Sequence, residues 1–487
     1  MNKIPHKKEV SHGISGEENQ MIISLETLKT RIRGVILNKG EQGYEIDGMI
    51  SKLESLPESY DKLLEFASEL SNLPISSEWP YVEPNDLENI WIESDPSRNL
   101  KTIGSITIEE STQKVESAFL GSVAGCILGK PLEASFTGHE IRDALKAMDE
   151  WPLDNYVSKK IKNHLPRVNN SFSETAREYI QYVAPDDDIN YTIMGMLILE
   201  EYGPAFTHIN IQDLWLKHLN FQTTFGPERT TLLRAGTESL DRFTIESFLE
   251  KGGIGPRTPL TERSGHLSIF NDYLNPGDEL CGAAIRADAY GYACPGRPQD
   301  AANMAWKDAS FTHSRTGIYG TMFIASAIAA AQVTSDRIAI FETALQYIPQ
   351  KSRFYERVSA CLEVVKNASS WEEAYDKISD KYGEYGHCRI YQETGMLINT
   401  LKFAEDIGHG ICIQVSQGAD TDSFGATAGS LLGAYFGPGY LDSSWIEPFG
   451  DDIHSGMAWF FERSLSTLAL RMGELPKTIM PQLIEEV

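Results

Sequence analysis

The chain has 487 residues, 41% of them hydrophobic, enough to bury one large core or two. Acidic residues outnumber basic ones 69 to 43, and the formal charge of -26 repels phosphate backbones and anionic lipid, which speaks against nucleic-acid and membrane-surface partners while inviting divalent cations. The six scattered cysteines include no C-x-x-C pair and no His-rich partner, which argues against zinc fingers and a disulfide framework and suggests a reducing cytoplasm.

Residues 1–20 lack an apolar core segment and read as a disordered tail rather than a signal peptide. Apolar residues at three- and four-residue spacing then predict helices over 21–37 and 44–73. The stretch 73–106, rich in proline and polar residues, reads as a connector whose Trp79, Tyr81 and Trp91 pack on the main body. An N-terminal helical segment with its connector, 21–110, is thus set apart from a main domain over 111–487. In that domain helical spacing recurs over 113–128, 187–201, 298–310, 317–332, 336–347, 393–404, 424–435 and 453–472, and SITIEE at 105–110 is a lone strand candidate. The expected fold is all-α, with functional loops at 169–173 and 252–279. The most apolar long run, 318–333, is interrupted by Gly320, Thr321 and Ser326 and is too short to span a bilayer, so a buried helix is expected there.

Two of the helix starts are acidic. In PDDDINYT (185–192), Asp186, Asp187 and Asp188 precede an apolar stripe. Capping and the helix macrodipole account for one or two of these carboxylates, and a hard-cation site accounts for the surplus. In GADTDSFGATAGSLLGAYFG (418–437), Gly418 permits a tight turn, and Asp420, Asp422 and Ser423 offer oxygens. Gly425, Gly429, Gly433 and Gly437 then follow one turn apart, as do Gly125 and Gly129. Such a face admits a neighbouring backbone, which offsets a propensity cost of about 1 kcal/mol per glycine. An EF-hand does not fit, because its third ligand would fall on Phe424, and a phosphatase D-x-D requires a strand immediately before it. Oxygen donors from two helix starts suit two metal ions about 4 Å apart, the arrangement that activates water.

With GSVAGCILGKPLE (121–133), CGAAIRADAYGY (281–292) and ASFTHSRTG (309–317), these stretches follow the order of, and resemble, the ADP-ribosylglycohydrolase family, in the manner of the dinitrogen-reductase-activating glycohydrolase and ADP-ribosylhydrolase type. The resemblance implies a compact all-α hydrolase holding two Mg2+ ions, or Mn2+ in their place. It would cleave the ribosyl glycosidic bond of an ADP-ribosylated protein or small molecule with a metal-activated water. Carried over by position, it implies metal ligands at Asp186, Asp187, Asp188, Asp420, Asp422 and Ser423, with Asp422 between the two ions. Glu133, Asp187 and Asp420 would be the catalytic residues, Gly282 would help cradle the diphosphate, and His313 would touch the phosphates or distal ribose.

Taken alone, Glu133 reads as an exposed loop glutamate and His313 as a buried helix histidine, and Arg286 fits a structural ion pair as well as a substrate contact. The chain departs from the family at Asp186, where threonine or serine is usual, and at Ser423, where threonine is usual; both keep an oxygen donor. Cys126 replaces an acidic residue and Ile285 a methionine, and neither is expected to remove the metal. Two alternatives are a catalytically inactive ADP-ribose-binding protein and a magnesium-dependent enzyme of the terpene-synthase kind, which DDDIN resembles only loosely. A monomer is the default expectation.

Overall fold

The computed structural model describes residues 24–232 and 274–485; the expected tail and most of the expected 252–279 loop lie outside them. Among the described residues there are helices and isolated β-bridges but no strand, as an all-α fold requires. Compactness divides the chain into two units, Met1–Trp79 and Pro80–Val487.

In the first unit, helices Leu25–Glu41, Met49–Ser55 and Tyr60–Leu70 bury Leu28, Ile32, Ile36, Leu53, Leu63, Phe66 and Leu70. The single helix expected over 44–73 is broken because Pro57 has no N–H to donate and drives Leu56 into an extended conformation.

The second unit starts within the expected connector rather than near residue 110. Residues 80–106 are fastened to the larger body: Val82 N–H donates to Lys351 O (3.0 Å), Arg353 Nε to Glu83 (2.9 Å), Tyr319 OH to Pro84 O (2.6 Å) and Asp95 N–H to Gln346 O (3.1 Å). SITIEE is not a strand. Its Thr107 and Glu110 form a reciprocal capping box that starts helix Ile108–Gly129. The helix expected over 453–472 is likewise cut to Leu465–Gly473, since Ile453 N–H pairs with Arg463 O (2.9 Å) and His454 N–H with Val183 O (3.0 Å). Helix Arg315–Ala331, apolar on all sides, is buried along its whole length. No described helix is long and apolar enough to cross a membrane.

The glycine spacing sets the architecture of the site. Helices Ile108–Gly129 and Thr421–Phe436 face each other with Gly121 against Gly429, Gly125 against Gly425, and Gly129 against Thr421 and Asp422. Partner numbers fall as the first helix rises, so the pair is antiparallel. A Cβ on Gly121 would lie 2.6 Å from the Gly429 carbonyl oxygen, and one on Gly429 would lie 2.6 Å from Ser122 N. Both obstacles are backbone, so no side chain can swing aside. Gly429→Ala is therefore expected to lower stability by about 2–3 kcal/mol, even though alanine is the better helix former by about 1 kcal/mol; the midpoint of denaturant unfolding measures it.

Candidate active site

Close helix contact brings the chemistry together. Thr421 Oγ1 donates to the Gly129 carbonyl (2.8 Å), locking the end of the first helix onto the start of the second. The chain leaves Gly129 through a tight 3-10 turn, Lys130–Leu132, which places Lys130 and Glu133 over Asp422. On the other side, Gly418 and Ala419 both adopt left-handed backbone (φ 77° and 64°), and Ala419 N–H donates to Phe136 O (2.8 Å). A side chain at Gly418 would run into the 136–138 backbone, so glycine is required in the turn that presents Asp420.

The second acidic tip arrives on helix Asp187–Tyr202. Asp186 caps it, accepting from Asp188 N–H (3.0 Å), so the capping account of this cluster is correct for one carboxylate. The two tips converge on one ammonium: Lys130 Nζ lies 2.6 Å from Asp186 Oδ2, 2.7 Å from Asp422 Oδ2 and 2.8 Å from Glu133 Oε2. Cys126 Sγ and carboxylate oxygens of Asp186 and Asp188 lie within 4.8 Å of one another. Asp188, Asp420, Asp422 and Ser423 are buried, and Asp187 is half-buried.

This concentration of buried carboxylates shapes their protonation. Burial, then the charges of Asp186 and Asp422, hold the Asp188 carboxyl well above its usual range. Burial and the charges of Asp422 and Glu393 do the same to Asp420, and burial with Asp186 pushes Asp187 up to about 8. Burial also pushes Asp422 up, but the Lys130 charge and hydrogen bonds from its neighbours outweigh it, and Asp422 ends below the usual carboxylate range. Glu133 is pushed up to about 9 by burial and the Asp422 charge; Asn169 Nδ2 also donates to it (2.6 Å).

Two adjoining cavities share Glu133, Asp187 and Phe225. One, of about 240 Å³, reaches Asp420, Asp422, Ser423, Gly282 and Glu228. The other, of about 340 Å³, reaches Lys130, Asp186, Asn190 and the 169–171 loop, where the sequence led us to expect a functional loop. A larger cavity of about 710 Å³ lies at the far end of the paired helices, where Lys114 and Arg337 already donate to backbone carbonyls.

The metal and catalytic residues inferred from sequence thus come together, and Gly282 lines the same cavity. His313 does not. It is fully buried, its Nδ1 2.8 Å from Thr312 Oγ1 and 3.7 Å from Glu228 Oε1, and burial followed by the nearby Arg286 charge keeps its pKa well below the ordinary value. Arg286 resolves as a structural ion pair, buried between Asp308 and Glu228 and donating to Thr312 Oγ1 (2.9 Å). Sequence reasoning missed Lys130 and Glu393. The only hint of Glu393 was one carboxylate inside the otherwise uncharged run IYQETGMLINTL.

The family described as ADP-ribosylglycohydrolase matches residues 108–471. The chain belongs to the ADP-ribosylglycohydrolase family. A solved structure of an ADP-ribosylglycohydrolase-related protein complex is a distant likeness, 17% identical over 76% of this chain and 99% of that one, with a TM-score of 0.44. No curated protein matches. For a member of this family, the question at this site is whether the residues present suit divalent cations. The donor set is mostly carboxylate oxygen, as hard cations require. Asp188 Oδ1 and Asp422 Oδ1 are buried with no hydrogen-bond partner among the described residues, and the Lys130 ammonium marks a place where positive charge is held. The residues fit.

Proposed function

We propose that the protein is a divalent-cation-dependent glycohydrolase that cleaves the ribosyl glycosidic bond of an ADP-ribosylated protein or small molecule. The supporting observation is the convergence of Asp186, Asp187, Asp188, Asp420 and Asp422 with Glu133 at one cleft, where some carboxylate oxygens have no hydrogen-bond donor among the described residues. Two Mg2+ or Mn2+ ions held by these oxygens would orient the ribose hydroxyls and acidify a water. Glu133, where the two cavities meet, is placed to move a proton. Its high pKa rests partly on the Asp422 charge, and offsetting that charge turns Glu133 from proton donor toward proton acceptor. The surrounding carboxylates also favour the positive charge that develops on the ribose ring as the bond breaks.

One observation favours a second reading, an ADP-ribose-binding protein without catalysis: Lys130 already answers Asp186 and Asp422 with its own charge. A single assay separates them. Purified protein with magnesium, offered ADP-ribosyl-arginine, ADP-ribosyl-serine, O-acetyl-ADP-ribose and simple nucleosides, is expected to release the ribosyl product from at least one, and chelation should stop it. Calorimetric binding of ADP-ribose with no release from any conjugate would decide for the second reading.

A further inference from the structure

Asp420 is flanked by a donor set of a different kind. Cys281 Sγ and Cys388 Sγ lie 3.2 Å and 3.4 Å from its Oδ2, and the three donor atoms fall within 4.8 Å of one another. A ring nitrogen of His387 and a carboxylate oxygen of Glu393 fall within the same distance of an Asp420 oxygen. Hydrogen bonds from the thiols to Asp420 account for the sulfurs, yet they leave neighbouring groups unsatisfied. Glu393 is 1% exposed; its Oε1 accepts from Cys388 N–H and Asp420 N–H, both at 3.1 Å, while its Oε2 has no partner among the described residues. His387 Nδ1 is also buried without one.

Magnesium prefers an all-oxygen shell, whereas two thiols beside a carboxylate, with an imidazole close to that same carboxylate, suit a borderline-soft cation. In a tetrahedral zinc shell with Zn–S near 2.3 Å and Zn–O near 2.1 Å, neighbouring sulfur and oxygen ligands stand about 3.6 Å apart. The observed separations need open only slightly to reach that. We propose that Cys281, Cys388 and Asp420, with His387 beside them, form a binding site for a thiophilic divalent cation such as Zn2+. On binding, each thiol releases its proton to solvent and becomes a thiolate ligand. This site shares Asp420 with the oxygen-rich cluster, so zinc there withdraws a ligand from that cluster and inhibits. Only this inhibitory consequence rests on the glycohydrolase reading.

The test is cobalt titration of the full-length, reduced, metal-stripped protein, followed by the thiolate-to-cobalt charge-transfer absorption. One equivalent of Co2+ per chain is expected to raise the band, excess Mg2+ to leave it in place, and Zn2+ to remove it. Cys281→Ser and Cys388→Ser should each weaken binding by about tenfold or more and diminish the band, while Cys126→Ala should leave it. A wild-type protein that binds cobalt without a thiolate band, or that shows none because a Cys281–Cys388 disulfide resists reduction, overturns the proposal without recourse to any variant. So does a band lost in Cys126→Ala and retained in both serine variants. Neither depends on hydrolysis, so failure here and failure of the proposed activity are read separately.

Discussion

Asp422→Asn is expected to cut turnover of the conjugate identified by the release assay by about a thousandfold or more, equivalent to about 4 kcal/mol of lost transition-state stabilisation, while leaving the fold in place. Asp422 sits in the first turn of helix Thr421–Phe436, with Oδ2 against Lys130 and Oδ1 buried without a hydrogen-bond donor among the described residues. The amide has the same shape, so the contact of the glycine ladder, made by backbone, is undisturbed. What it loses is charge, on the carboxylate that lies between Lys130, Glu133 and Asp420 and whose own ionisation the site sustains. Lys130 keeps Asp186 and Glu133 as partners, so no buried cation is stranded. The variant should also show a much smaller rise in melting temperature with magnesium than the wild type. Undiminished turnover at limiting magnesium would remove Asp422 from the chemistry and the cation-dependent mechanism with it.

Much of this site was legible because its parts are local. An Asp-rich helix start and a glycine-aspartate turn each carry their signal within six residues, and the four-residue glycine period announces close backbone contact wherever its partner lies. The pairing itself was not legible: nothing in Gly121, Gly125 and Gly129 names Gly429, Gly425 and Thr421 as the surface they meet. Lys130 was hidden for a related reason. A lysine between a glycine and a proline reads as an exposed cation, and only the long-range approach of Asp186 and Asp422 makes it the centre of the cluster. His313 shows the converse. Its motif was in order, but Glu228, from a segment that carried no motif, lines the cavity 3.7 Å from the histidine, and the blander expectation of a buried histidine describes it better, though it sits between helices Pro298–Ala309 and Arg315–Ala331 rather than within one. The errors in secondary structure follow the same division. Helical spacing at 453–472 was real, yet pairing of Ile453 with Arg463 and His454 with Val183 held the first half out of the helix.

Lys130→Met should split the behaviour of the protein according to whether divalent cations are present. The Lys130 side chain is 12% exposed, and its Nζ stands within 2.8 Å of three carboxylates. Burial opposes its charge, but Asp186, Asp422 and Glu133 outweigh burial and hold it protonated. Methionine keeps the length of the stem and removes the charge, so Asp186 and Asp422 would face each other uncompensated. Removing one partner from a buried charge cluster costs about 3–5 kcal/mol, less whatever the carboxyls recover by taking up protons. The cation-free variant is therefore expected to melt well below the cation-free wild type. With magnesium or manganese the order of effects changes, because the ammonium competes with any metal ion for Asp186 Oδ2 and Asp422 Oδ2. Its removal should tighten divalent binding, and each tenfold gain adds about 1.4 kcal/mol of stabilisation under saturating conditions. Thermal unfolding across a magnesium titration, with calorimetry for the affinity, reads both effects. A variant that binds the divalent cation more weakly than wild type would show instead that Lys130 supports the loaded site rather than standing in for its cation.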